Sequence, residues 1–147
     1  MAADIKTSHI GVISPYSAQV TEVRKSLRKD GRHKGIEVST VDGFQGREKE
    51  IIIISMVRSN PTCTIGFLSN ERRMNVAVTR AKKLCVLIGD SATVSKNSFL
   101  KSLCDYFREH GQTRSAFDYE GNPEVRTMYG QKSSVPTQGK EEKKTKA

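Results

Sequence analysis

The feature that most constrains this chain is the run Ile51-Ile52-Ile53-Ile54, entered through Glu50 and left through Ser55-Met56-Val57. β-branched side chains favour extended backbone. A strand without polar alternation suits a parallel sheet covered by helices on both faces, so Glu50 to Val57 is expected to be a central strand. Three further strands are expected at His9–Ser14, Gly35–Val41 and Leu84–Gly89; Pro15 ends the first because it offers no amide to a ladder. Helical spacing appears between them. From Ser17 to about Lys29, Val20, Val23 and Leu27 form one stripe, stopped at Asp30-Gly31. Asn70 is placed to cap a helix carrying Met74, Ala77, Val78 and Ala81, and Asn97 to His110 reads as a closing helix ended by Gly111. Alternation of this kind predicts an α/β layer fold with parallel strands and right-handed crossovers.

A chain of 147 residues is the size of one domain. The alternating pattern stops near Tyr119, giving a domain over 1–120 and a polar, basic tail over 121–147. Such a tail buries too little apolar surface to offset its ordering entropy and is expected to be a disordered linker. Lys and Arg number 25 against 16 acids, a net charge of +9, which attracts polyanions. No stretch approaches the roughly 20 apolar residues of a membrane span, and the start Met-Ala-Ala-Asp lacks the apolar core of a secretion signal. No membrane partner is expected, and the location is expected to be intracellular, in cytoplasm and/or nucleus. Cys63, Cys85 and Cys104 form no CxxC pair and the three histidines are scattered, so no metal site is expected.

Three stretches place polar or charged residues where strands are expected to end, the edge at which α/β sheets hold ligands. In Ser14-Pro15-Tyr16, with Gln19 one turn later, hydroxyls and exposed amides could touch a phosphodiester backbone; the plainer reading is a strand terminator. In Ser39-Thr40-Val41-Asp42-Gly43-Phe44-Gln45-Gly46-Arg47-Glu48, the glycines allow close approach to a phosphate and Thr40 can donate to one. Gln45 and Glu48 can hydrogen-bond a ribose or a water; the plainer reading is an ordinary glycine loop. In Asn70 to Ala81, Arg73 and Arg80 fall seven residues apart, on nearly one helical line, which suits guanidinium groups directed at triphosphate oxygens. The plainer reading there is a basic amphipathic helix.

Taken in this order, the three stretches resemble motifs IV, V and VI of superfamily 1B helicases, the Upf-like branch that moves 5′ to 3′. The resemblance covers Ile10 to about Asp90. Val38–Asn60, together with Ser98-Phe99-Leu100-Lys101 through Ala116-Phe117-Asp118-Tyr119, is most similar to the immunoglobulin-mu-binding (Smubp-type) subgroup. The resemblance implies a second RecA-like (P-loop NTPase-like) domain of three layers with a mostly parallel sheet, truncated at its N-terminal side. It implies that Arg80 is the arginine finger reaching the γ-phosphate, with Arg73, Gln45, Gly46 and Glu48 also at the ATP. It implies that Ser14, Tyr16, Thr40 and Asp42 line or adjoin the channel for single-stranded DNA and/or RNA. The cofactor implied is ATP with Mg2+, held mainly by a first RecA-like domain acting in cis or in trans.

The departures bear equally on function. The sequence contains no G-x-x-x-x-G-K-[ST], hence no P-loop lysine or hydroxyl for magnesium, and the chain by itself is expected to be inactive. Leu84–Asp90 superficially resembles a Walker B strand but follows motif VI and has no glutamate after Asp90. It is read as the last strand. A rival expectation is a non-catalytic nucleic-acid-binding or protein-interaction module derived from a helicase. Self-association through an exposed sheet edge is a third.

Overall fold

The computed structural model describes residues 4–31 and 33–119; the tail expected over 121–147 lies outside them. The chain divides into two compact units, 1–112 and 113–147. All four strands belong to the first: β1 (Ile10–Ser14), β2 (Glu37–Thr40), β3 (Lys49–Ser55) and β4 (Ala81–Ile88). They form one parallel sheet in the order β2-β1-β3-β4, an α/β architecture of the RecA-like kind. In the second unit, Ala116–Tyr119 is a single 3-10 turn in which the Ser115 amide donates to the Asp118 carboxylate.

Chain direction explains the layers. Helix α1 (Ser17–Asp30) links β1 outward to β2, whereas α2 (Glu71–Val78) links β3 outward to β4 in the opposite direction. Crossovers of one hand must then lie on opposite faces of the sheet. On one face Ile13, Ile52 and Ile54 pack with Leu68, Met74, Ala77, Val94 and Leu100, all buried. Each such aliphatic side chain contributes about 1.5–3 kcal/mol by leaving water. On the other face Val20 of α1 and Val38 of β2 are buried, and Arg24 of α1 donates from Nε and Nη2 to the Val38 carbonyl at 3.1 and 2.6 Å. Arg24 thereby ties α1 to β2.

The expectation that the isoleucine run is covered on both faces is corrected. Ile52 and Ile54 are fully buried, but Ile51 and Ile53 are only half-buried. On β4, Leu84, the partner of Ile51, and Ile88, the partner of Ser55, are each 51% exposed. The reason is topological: α1 moves toward β2 and, among the described residues, leaves its face of β3 and β4 open, while α2 covers the other face.

The β2-to-β3 connection crosses β1 through a 3-10 turn at Asp42–Phe44. Phe44 is fully buried, and its ring lies where a side chain on Gly11 would be: a Cβ there would meet Phe44 Cζ at 2.7 Å. Only glycine permits that crossing.

Several helix ends follow the sequence closely. Gly31 stops α1 in the left-handed conformation at φ 64°, and Asn70 and Asn97 cap α2 and α4 (Ser98–His110) by accepting from the Arg73 and Leu100 amides. Gly111 instead leaves α4 in extended backbone. A short helix, α3 (Ser91–Val94), capped by Asp90, is a feature the sequence did not reveal.

Helix α2 is shorter than its apolar spacing predicts. It ends at Val78; Thr79 and Arg80 form a turn and Ala81 opens β4. The Arg80 carbonyl accepts from the Lys49 amide at 3.1 Å, so the sheet captures the group that a longer helix would have used. The Thr79 hydroxyl donates to the Asn75 and Val76 carbonyls at 2.9 and 3.0 Å, which gives the Val76 carbonyl a donor after the Arg80 amide turns to Ala77.

Candidate functional site

The parallel sheet separates the candidate residues into two groups. Ser14 and Thr40 are register partners at the carboxyl ends of β1 and β2. The Ser14 side chain is buried and its hydroxyl accepts from the Tyr16 amide at 3.3 Å; the Thr40 hydroxyl accepts from the Gly43 amide at 3.2 Å. Both hydroxyls therefore shape their own turns. Tyr16 is half-buried beside them, its hydroxyl donating to the Ile65 carbonyl at 3.0 Å and accepting from Arg58 Nε at 2.8 Å.

The second group lies toward the amino ends of β3 and β4, a strand length away at about 20 Å for the seven residues of β3 at ~3.3 Å per step, except that Gln45 stays next to the first group, its amide donating to the Asp42 carbonyl at 3.2 Å. Gln45, Gly46 and Glu48 precede β3, and Arg80 precedes β4. The expectation that all three stretches sit where strands end holds for Ser14–Tyr16 and Thr40–Asp42, but not for Gly46, Glu48 and Arg80. The Lys49–Arg80 backbone bond brings the two segments together. Just beyond it the ladder slips by one residue, Lys49 facing Ala81 and Ile51 facing Leu84. A bulge of this kind re-aims side chains next to it.

The groups at this edge are available to a ligand. Gln45 and Glu48 are exposed and make no side-chain hydrogen bond or ion pair among the described residues. Gly46 has φ +73° with open space where a Cβ would be, so an anion can approach its backbone. Arg80 is half-buried and folds back on α2, donating from Nε to the Val76 carbonyl at 3.2 Å and from Nη2 to the Thr79 hydroxyl at 3.4 Å. No carboxylate pairs with it among the described residues. Arg73 differs: it is in the first turn of α2 and forms an ion pair with Asp42. Arg73 and Arg80 thus do not share a helical line.

Beside the amino edge, Arg47 and Lys49 both pair with Glu37. Burial alone would raise that carboxyl, but hydrogen bonds from the two cations outweigh it and hold it below its ordinary range. At the carboxyl edge, burial opposes Asp90 in the same way, and bonds from the Ser59 and Thr93 hydroxyls and the Ala92 amide hold it low. Cys85 is pushed up to about 11 by burial, which makes it an inert packing thiol. Among the described residues no group of His, Cys, Asp and Glu could hold a metal ion, and no helix is long and apolar enough to cross a membrane.

Sequence reasoning assigned no role to Arg58, which clamps Tyr16, or to the Asp90–Ser59–Thr93 network. Their partners lie far apart in the chain, so no linear pattern announces them.

A family described as the AAA domain matches residues 1–92. The chain is 48% identical over 133 residues to "DNA-binding protein SMUBP-2" of Rattus norvegicus, covering 89% of this chain and 13% of that protein. It is 44% identical over 113 residues to "DNA polymerase alpha-associated DNA helicase A" of Saccharomyces cerevisiae, covering 76% and 16%. It is 43% identical over 104 residues to "Regulator of nonsense transcripts 1" of Dictyostelium discoideum, covering 67% and 8%. The chain therefore spans only a small part of the relatives it matches. Those relatives, the family match and the parallel sheet agree that the chain belongs to the AAA-domain family, as a superfamily 1B helicase C-terminal domain similar to SMUBP-2.

Proposed function

We propose that this chain is the C-terminal motor domain of an ATP-dependent 5′-to-3′ DNA/RNA helicase, supplying the arginine finger and part of a single-strand channel. The observation that carries the reading is the Lys49–Arg80 backbone bond. It holds the finger candidate beside Gly46 and Glu48, while among the described residues no carboxylate pairs with the guanidinium.

In this reading Arg80 swings from the end of α2 toward the γ-phosphate and stabilises charge that develops there, a role worth about 10³ to 10⁵ in rate in comparable enzymes. Gly46 lets the nucleotide approach the backbone, Glu48 binds near the ribose, and Gln45 couples the nucleotide to the strand. Arg73, held by Asp42 in the first turn of α2, is a second guanidinium for the ATP phosphates. ATP with Mg2+ supplies the energy of hydrolysis when bound; the residues described here fit its phosphates but not the ion, which falls to a P-loop domain in cis or in trans. Tyr16, Thr40 and Asp42 face a single strand of DNA or RNA at the other edge, with buried Ser14 shaping the turn beneath them, and alternating grip across the cleft steps the motor. An intracellular location, in cytoplasm or nucleus, accompanies this reading.

The rival reading is a non-catalytic nucleic-acid-binding or interaction module. Adding a P-loop domain in trans discriminates the two. Restored single-strand-stimulated ATPase activity that is lost with Arg80→Ala supports the motor. An assembled motor that hydrolyses ATP equally well with Arg80→Ala sinks the finger assignment.

A further inference from the structure

The carboxyl edge of the sheet holds a second constellation that includes Tyr16 but is otherwise new. Arg58, just after β3, donates from Nε to the Tyr16 hydroxyl at 2.8 Å, and its Cζ lies 5.0 Å from the centroid of the Tyr16 ring. Phe67 lies with its ring 5.6 Å from that of Tyr16, tilted by 53°. It is 59% exposed, so core packing does not explain it. Gly66 allows the three to meet: it has φ +53°, and a Cβ there would come within 2.9 Å of Arg58 Nη2 and 3.0 Å of the Tyr16 hydroxyl.

Beside the cluster is an open cavity of about 570 Å³, its lining including Tyr16, Gln19, Arg58, Asn60, Thr62 and Thr64. That volume lies within the usual range for small-ligand sites. The cavity wall is held firmly. Asn60 Oδ1 accepts from the Thr64 amide and the Thr62 hydroxyl, both at 2.8 Å, and its own amide donates to the Thr93 hydroxyl at 3.0 Å. Ser59 donates to Asp90 at 2.8 Å. The same loop holds two non-glycine residues at positive φ, Val57 at 68° and Cys63 at 53°, a strained backbone of the kind that persists where surroundings over-determine it.

Charge indicates the ligand. No carboxylate pairs with Arg58 among the described residues. The acid at the rim, Glu22, is already engaged by Lys25 at 2.7 Å. An exposed aromatic face beside an unneutralised guanidinium matches the two parts of a nucleotide: a base that stacks and a phosphate that accepts from arginine.

We propose that Phe67, Tyr16 and Arg58 form a clamp for one nucleotide of a single nucleic-acid strand, its base on Phe67 and its phosphate on Arg58. Tyr16 is a positioning residue in this clamp, holding the guanidinium in place. The proposal rests on the reading that this edge lines a single-strand channel.

The test measures binding of the full 147-residue chain to labelled oligothymidine and oligouridine by fluorescence anisotropy over a range of salt. Phe67→Ala is expected to weaken binding about tenfold, without changing the salt slope or the melting temperature. Arg58→Gln is expected to weaken binding and to reduce the slope of log K against log salt by about 0.7, the value for one phosphate on a single strand. A purely structural role for Arg58 would not move that slope. If Arg58→Gln does not fold, Phe67→Ala decides, together with photocrosslinking of an iodouracil oligonucleotide. Attachment at Phe67 supports the clamp, and attachment confined to other residues overturns it. A parent chain that binds while both variants bind identically also overturns the clamp and leaves the channel reading standing. A parent chain that binds no single strand removes both.

Discussion

Arg73 Nη2 and Asp42 Oδ2 are 3.0 Å apart, joining the first turn of α2 to the turn that follows β2. Both side chains are substantially exposed, at 39% and 60%. Exposed pairs of this type typically contribute about 0.2–1 kcal/mol. A double-mutant cycle with Arg73→Ala and Asp42→Ala should give a coupling within that range in chemical denaturation, and it should shrink in high salt. A coupling of several kcal/mol would show that the pair is much better shielded than its exposure indicates.

Gly11→Ala should destabilise the domain by about 1–3 kcal/mol, the usual cost of forcing a methyl group into a packed core. The new methyl would meet Phe44 Cζ at 2.7 Å and Ile52 Cδ1 at 2.9 Å. Urea denaturation measures the loss, and an unchanged midpoint would mean that Phe44 can move aside. Phe44→Leu in the same chain should recover part of the loss by shortening the clashing group.

Asp90 accepts from Ser59, Thr93 and the Ala92 amide, so its carboxyl is held low in the folded chain. A depressed value means that the ionised form stabilises the fold; the contribution is whole above the unfolded value of about 3.9 and fades as pH falls through the folded one. Asp90→Asn should therefore be less stable than the parent near neutral pH, by about 1 kcal/mol for the loss of a charged acceptor, and the gap should close as pH falls through the depressed folded value. Urea midpoints at neutral and acidic pH check the sign. A gap that widens in acid would contradict it.

Leu84→Thr with Ile88→Thr should leave stability nearly unchanged, because both side chains are half in water already. The same pair of substitutions should reduce binding of a hydrophobic dye to the folded chain, since these residues head the apolar strip beside Ile51 and Ile53. A loss of several kcal/mol would instead reveal that the strip is covered.

Local patterns in the sequence were enough to locate the main elements. Helix stops and caps at Gly31, Asn70 and Asn97 act within one turn of their own residue, so they are legible from spacing. The extent of α2 was not legible. Its apolar spacing runs on to Ala81, yet Ala81 pairs with Lys49 in the sheet. The competing partner for the Arg80 carbonyl is an amide far earlier in the chain. Gly46 could be read as a conformationally special residue, whereas the lack of a carboxylate partner for Arg80 among the described residues could not, because charge neutralisation depends on neighbours in space.

The isoleucine run illustrates the division. By itself the sequence determined that Ile51 to Ile54 form a strand, that helices alternate with strands around it, and that the order of polar stretches is that of a helicase motor domain. Those properties reside in β-branching, periodicity and motif order, which are local or linear. Tertiary structure decided which isoleucines are buried, which edge each candidate residue occupies, and that Tyr16, Arg58 and Phe67 meet. These depend on strand order and on the direction in which each crossover moves, and no window of sequence carries that information.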